Sequence, residues 1–235
     1  MFTGSLFDTL MGGLIVSCQA LEHEPLHGST HMSAMALAAA QAGAVGIIAN
    51  GIHDISAIKK LVTLPIIGVM TAGYSESSIQ LTPTIVEITA LAREAPDMIG
   101  LDATDRRRPN GESLEAFVEM IRSRYPNLLL MAEVATVEEA IYVQSLKFDC
   151  LSTAAYGATK NTAGKSLRQN DFSHFTAIRR VISQCPLVAE GGIGTPEHAR
   201  RVLQLGADIV VVGSAITRPQ VITESFVNAM VGYRS

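Results

Sequence analysis

Eight polar side chains each close an apolar run in this chain: Gln19, Asn50, Thr71, Asp102, Glu133, Thr153, Glu190 and Ser214. Three of them are carboxylates. Like charges brought together raise each other's pKa, so converging carboxylates are either paired with cations or set up to carry a proton. The three carboxylates are the candidates for carrying a proton. Asp102, Thr71, Thr153 and Gln19 are candidates for holding a substrate. Two glycine turns add a second chemistry. Ala189-Glu190-Gly191-Gly192-Ile193-Gly194 and Val212-Gly213-Ser214-Ala215 each place glycine straight after an apolar run, where backbone N–H groups can close on an anion with no Cβ in the way. Gly191, Gly192, Gly213 and Ser214 therefore form a candidate phosphate cradle. Arg218, four residues past Ser214, offers a guanidinium fork suited to a dianion. Either turn taken alone also reads as a plain tight turn; the two together predict a small anionic ligand.

Residues so far apart in the chain can meet only if the elements carrying them line up. Apolar runs of strand length span 13–20, 45–50, 65–71, 98–104, 128–135, 149–153, 186–193 and 207–213, and most are continuously apolar, as parallel strands covered by helices are. Helical patterns lie between them. Ile55, Ile58, Leu61 and Val62 recur at helical spacing after Asp54, and Leu114, Phe117, Val118 and Ile121 after Ser113. Thr136 with Glu139 fits a capping box, Asp171 stands where it would cap a helix bearing Phe172, Phe175, Ile178 and Ile182, and Thr195-Pro196 places a cap before a first-turn proline. Gly43 and Gly206 sit where left-handed residues end helices. Eight βα units in 235 residues predict an α/β fold, a (β/α)8 TIM barrel forming a single domain over residues 1–235. A doubly wound open sheet is the alternative, but it places its phosphate glycines after the first strand, and Gly13 to Gln19 is followed by none. In a barrel the carboxyl ends of the strands share one rim, which is where the eight polar residues would gather.

Several function classes fall away on composition. Lys and Arg total 18 against 22 Asp and Glu, a net charge of −4, and no basic run exceeds Arg106 to Arg108, so no nucleic-acid partner is expected. The longest apolar stretch, 34–49, is broken by Gln41, Gly43 and Gly46 and is shorter than the roughly 20 residues a membrane helix needs, so no membrane association is expected. The start of the chain lacks the basic, then apolar, pattern of a secretory signal. Cys18, Cys150 and Cys185 are odd in number and widely spaced, which predicts buried thiols in a reducing, cytoplasmic setting. His23 and His27 flank Pro25 and do not reproduce a zinc-binding helix, so no metal is expected. His31, His53, His174 and His198 stand singly near helix starts, as caps or solvent-facing residues. The polar segment 156–170, with Lys160, Lys165 and Arg168, is either a lid or a solvated surface loop. Arg106 to Arg108 could hold a substrate carboxylate, pair with local acids or serve a contact between copies of the chain.

The stretches Gly13-Leu14-Ile15-Val16-Ser17-Cys18-Gln19-Ala20 with Glu24-Pro25-Leu26-His27, Leu64-Pro65-Ile66-Ile67-Gly68, Leu101-Asp102-Ala103-Thr104 with Arg108-Pro109-Asn110-Gly111, and Val212-Gly213-Ser214-Ala215-Ile216-Thr217-Arg218-Pro219 together resemble the N-acetylmannosamine-6-phosphate 2-epimerases. The resemblance covers nearly the whole chain. It implies a cofactor-free barrel isomerase that inverts C2 of a phosphorylated amino sugar, interconverting the 6-phosphates of N-acetylmannosamine and N-acetylglucosamine in sialic acid catabolism. On that footing Glu190 matches the family's catalytic glutamate, Gln19 its substrate-binding glutamine and Arg218 its arginine near the phosphate. A homo-oligomer, a dimer, is in keeping with it.

Four positions depart from the family pattern. Thr71 stands in place of the catalytic lysine, Ile48 in place of an arginine, Glu133 in place of an aspartate and Gly192 in place of an arginine. A threonine hydroxyl does not move protons near neutral pH without an activating partner. Three readings follow: an epimerase in which Glu133, Lys160 or Lys165 replaces the lysine; an isomerase or lyase acting on a different sugar phosphate; or a catalytically silent phosphosugar-binding barrel.

Overall fold

Continuously apolar strands need cover on both faces, and a barrel wrapped in helices supplies it. In the computed structural model, which describes residues 5–231, eight parallel strands run in chain order around a closed barrel: β1 (Leu14–Cys18), β2 (Gly46–Asn50), β3 (Ile66–Val69), β4 (Met98–Asp102), β5 (Leu129–Glu133), β6 (Cys150–Ser152), β7 (Leu187–Ala189) and β8 (Ile209–Val212). β8 closes on β1, with Val211 beside Ile15. Closure excludes the open-sheet alternative. α1 (Ser5–Leu10) precedes β1. Then α2 (Ser29–Gln41), α3 (Ile52–Lys59), α4 (Ile85–Arg93), α5 (Leu114–Arg124), α6 (Val137–Gln144), α7 (Ser173–Val181) and α8 (Pro196–Gln204) follow β1 to β7 in turn, and α9 (Ser214–Thr217) and α10 (Pro219–Ala229) follow β8. Residues 1–4 and 232–235 of the expected domain lie outside the described residues. No described helix is long and apolar enough to cross a membrane.

Strand alternation sorts the core into two layers. Ile15, Ile48, Ile67, Val69, Met98, Met131, Cys150, Val188, Ile209 and Val211 fill the barrel, and Phe7 and Leu10 of α1 pack with them. Their neighbours Ile47, Ile66, Ile99, Leu130, Leu151 and Leu187 point outward and pack with Phe117, Phe175 and Ile178 of the surrounding helices. The same alternation turns Asp102, Glu133 and Ser152 inward at one level, because Asp102 pairs with Glu133 and Glu133 with Ser152 in the ladder.

Local capping follows the sequence closely. Ser113 Oγ accepts the Ala116 N–H, Thr136 and Glu139 form a reciprocal capping box, Thr195 caps α8 ahead of Pro196, and Gly43 and Gly206 take φ near +96°. Two expectations are corrected. Asp171 does not cap α7: Asn170, Asp171 and Phe172 all have positive φ, whereas a cap residue needs extended backbone, and the Asp171 carboxylate is held by Arg201. Leu61 is not on the buried face of α3, because the helix ends at Lys59 and Leu61 is exposed beyond it.

Candidate active site

The rim formed by the carboxyl ends of the strands opens into a cleft of about 830 Å³ on the side of β6, β7, β8 and β1. Gln19, Glu190, Gly191, Gly192, Gly213, Ser214 and Arg218 all line it. Ser17, Ser166 and Arg168 line it as well. Arg168 has no ion-pair partner among the described residues.

The glycine turns have the geometry an anion site needs. Gly191 and Gly192 take φ of +99° and +71°, and their N–H groups have no acceptor within the described chain. Beside them, Arg218 Nη1 donates to Ser214 Oγ (3.1 Å), and its Nε lies 2.9 Å from Glu24 Oε1. Glu24 also accepts from the Leu21 N–H and from Gln220 Nε2, so it ties the β1 loop to the start of α10 and fixes the guanidinium.

Glu190 follows β7 and reaches back over the barrel mouth. Ser152 Oγ donates to its Oε2 at 2.8 Å. Burial pushes the Glu190 carboxyl up to about 7, against the pull of the Ser152 hydrogen bond. Glu133, two strands away, is raised well above the carboxylate range, first by burial and then by the charges of Glu190 and Asp102; Arg106 opposes this. Both carboxyl groups therefore favour the protonated form more than a solvated carboxylate does.

The other candidates are engaged elsewhere. Asp102 accepts from the Thr104 N–H (3.0 Å) and hydroxyl (2.7 Å) and pairs with Arg106. Thr71 is exposed at the opposite side of the mouth, where Asn50 Nδ2 donates to its hydroxyl (3.2 Å) and Asn50 Oδ1 accepts its N–H (2.9 Å). Thr153 is fully buried and does not line the cleft; one residue earlier, Ser152 is the polar group that faces inward. The sequence reading missed Ser152 and Ser17, although counting by twos from the inward Cys150 and Ile15 reaches both.

The arginine run pairs with local groups. Arg106 holds Asp102; Arg108 is buried, donates to the Pro83 carbonyl (3.0 Å) and to the Asp102 carbonyl, and lies 4.5 Å over the Phe117 ring. The segment 156–170 is a largely exposed loop anchored at a few buried positions. Leu167, Thr159 and Thr162 are buried, Tyr156 stacks on His174 at 3.7 Å, and the loop brings Ser166 and Arg168 to the cleft. Lys160 and Lys165 are exposed, and neither they nor Glu133 line the cleft.

A family model described as "Putative N-acetylmannosamine-6-phosphate epimerase" matches residues 32–232. The chain belongs to this family. A relative from Enterobacter sp. (strain 638), described as "Putative N-acetylmannosamine-6-phosphate 2-epimerase", is 53% identical over 226 residues, covering 96% of each chain. One of the same description from Listeria welshimeri serovar 6b is 46% identical over 226 residues, covering 96% of this chain and 95% of its own. The solved structure of the N-acetylmannosamine-6-phosphate 2-epimerase from Clostridium perfringens is similar to this chain with a TM-score of 0.90 at 43% identity, covering 96% of both.

Ile48 is part of the packed barrel interior. At Gly192 a Cβ would stand 2.6 Å from Ser166 Oγ, so the 156–170 loop occupies the space a side chain there would need. Glu133 keeps a carboxyl group at the end of β5.

Proposed function

We propose that the chain is an N-acetylmannosamine-6-phosphate 2-epimerase that removes and restores the proton at C2, with Glu190 and Glu133 as its acid–base pair. One observation carries this reading: the two carboxyl groups share a field at the rim of a family-member barrel, beside a glycine-lined cleft. Inverting C2 of the open-chain aldehyde requires one group to accept the C2 proton and another to supply a proton to the opposite face. A pair holding a single proton between them meets both needs at once. The proton taken by the acceptor and the proton given by the donor leave the pair with the same total charge, and exchange with water resets it.

The phosphate is bound by Gly191, Gly192, Gly213, Ser214 and Arg218, and Arg168 contributes the second cation. Arg218 is already compensated by Glu24, so a phosphate dianion needs charge from elsewhere on the rim. Arg168→Ala and Arg218→Ala are each expected to raise KM for the phosphorylated sugar about 10- to 100-fold, the scale of a charge-assisted hydrogen bond. Steady-state kinetics on phosphorylated and unphosphorylated N-acetylmannosamine check this. An equal effect on both sugars would place the arginines outside the phosphate subsite.

The decisive experiment on the activity is incubation with N-acetylmannosamine-6-phosphate in D₂O. Appearance of the N-acetylglucosamine epimer carrying deuterium at C2 is expected. Binding of the sugar phosphate without inversion or exchange would favour the second reading, a silent phosphosugar-binding barrel. Thr71, held by Asn50 in the lysine's place, is the observation behind that reading. Turnover of a different sugar phosphate would favour the isomerase or lyase reading.

The dimer expected from the sequence would use α10, none of whose side chains is buried and whose Phe226 and Val227 are exposed, as is Met230 just past its end. Sedimentation is expected to give a dimer that Phe226→Asp converts to monomer; a monomeric wild type refutes it. The three cysteines are free and buried, and burial pushes Cys18 and Cys185 up to about 12 and about 11, which supports unreactive thiols in the cytoplasm.

A further inference from the structure

We infer that Ser152 is a positioning residue for the proton transfer, which fixes one oxygen of Glu190 and thereby makes Glu190 the ionised member and Glu133 the protonated member of the pair in the unliganded protein. The inference deepens the epimerase reading and rests on it for its kinetic consequences.

The argument is one of donors and acceptors. A serine hydroxyl has one proton to give and two lone pairs. The Ala154 N–H donates to Ser152 Oγ at 3.2 Å, so that side of the hydroxyl is filled by a donor. The hydroxyl's own proton has one acceptor among the described residues, Glu190 Oε2 at 2.8 Å. Ser152 is fully buried, so water does not compete. A hydroxyl whose proton can go only to a carboxylate oxygen favours the ionised carboxylate. No described group donates to Glu190 Oε1, which is left for the substrate. Glu133 receives no hydrogen bond from a described residue.

The adjacent Thr153 holds the backbone of the same residue. Its Oγ1 donates to the Glu190 carbonyl at 2.8 Å and accepts the Glu190 N–H at 3.0 Å. β7 ends at Ala189, so this side chain carries the β6–β7 pairing one residue past the ladder, up to the positive-φ turn at Gly191. Side chain and main chain of Glu190 are thus gripped by two neighbouring hydroxyls. The charged and titratable groups facing this site are Glu133 on β5, Asp102 on β4 with Arg106 from its loop, Cys150 below on β6, Arg168 from the loop after β6, and Arg218 after β8 with its partner Glu24. None of them donates a hydrogen bond to Glu190.

Ser152→Ala is expected to lower kcat about 10- to 100-fold, the range for a hydrogen bond to a charged group, with KM unchanged. Its acid limb in the kcat/KM pH profile should move to higher pH, because the carboxylate has lost its donor. Ser152→Thr, which keeps the hydroxyl, should return the limb toward its original position. Thr153→Val touches only the Glu190 backbone and should lower kcat while leaving the limb in place. A Ser152→Ala enzyme with an unmoved acid limb overturns the inference, whether or not kcat falls. Should the wild type not turn over at all, the epimerase reading fails, and titration of the ¹³C-labelled Glu190 carboxyl in the unliganded protein still decides the inference. An upward shift in Ser152→Ala supports it, and no shift refutes it.

Discussion

Glu190→Gln is expected to slow epimerisation about 10²- to 10⁴-fold, the range for loss of a positioned general base, and at the same time to raise the melting temperature at neutral pH. The two effects have one cause. Glu190 titrates near 7 in the folded protein, above its ordinary value of 4.5, because burial penalises the charge. Below 4.5 the carboxyl is protonated in both folded and unfolded chains, and no stability depends on it. Between 4.5 and 7 the unfolded chain releases the proton and the folded chain does not, so stability falls as pH rises through that window. An uncharged glutamine removes the penalty. Thermal melts should therefore show the variant more stable than wild type at pH near 8 and equal to it near pH 4. C2 exchange in D₂O provides the catalytic readout. A variant that still inverts at the wild-type rate would remove Glu190 from the chemistry, and one that gains no stability at pH 8 would show that the carboxyl is not desolvated.

Glu133→Gln is the complementary test, with an expected loss of inversion of about 10²- to 10⁴-fold. The informative signal is what survives. With Glu190 intact, a proton can still leave C2 and a deuteron return on the same face, so one epimer should exchange C2 hydrogen with solvent while neither inverts. Glu190→Gln should show the same behaviour with the other epimer. Reciprocal exchange of this kind requires two groups on opposite faces of C2. Exchange of the same epimer in both variants would mean that a single group serves both faces and that Glu133 acts only through the field it shares with Glu190. Loss of exchange in both epimers for Glu133→Gln would assign it to binding.

The cations at the mouth bear on both experiments. Arg106 is committed to Asp102, and Arg218 to Glu24 and Ser214, which leaves Arg168 as the cation at the cleft without an ion-pair partner among the described residues. Burial, and for Glu133 the charges of Glu190 and Asp102 as well, holds both carboxyl groups high on the pH scale. That is the condition under which one carboxyl group can act as an acid near neutral pH while the other acts as a base.

Much of this molecule was written locally. Eight apolar runs specified eight strands, because continuous apolarity is what two covered faces demand. The caps at Ser113, Thr136 and Thr195 and the positive-φ glycines Gly43 and Gly206 follow from hydrogen bonds and sterics that span a few residues. The glycine turns after β7 and β8 were legible for the same reason. Whether a strand-end side chain enters the barrel was not, since a shift of one residue reverses the face, and so Ser152 meets the Glu190 carboxylate while Thr153 holds only its backbone. Nor could the sequence show that Arg106 would claim Asp102, or that Arg201, thirty residues away, would take the Asp171 carboxylate. A cap depends on its nearest neighbours in the chain. The charge state of Glu190 and Glu133 depends on burial and on partners delivered by other strands, and only closure of the barrel brings those together.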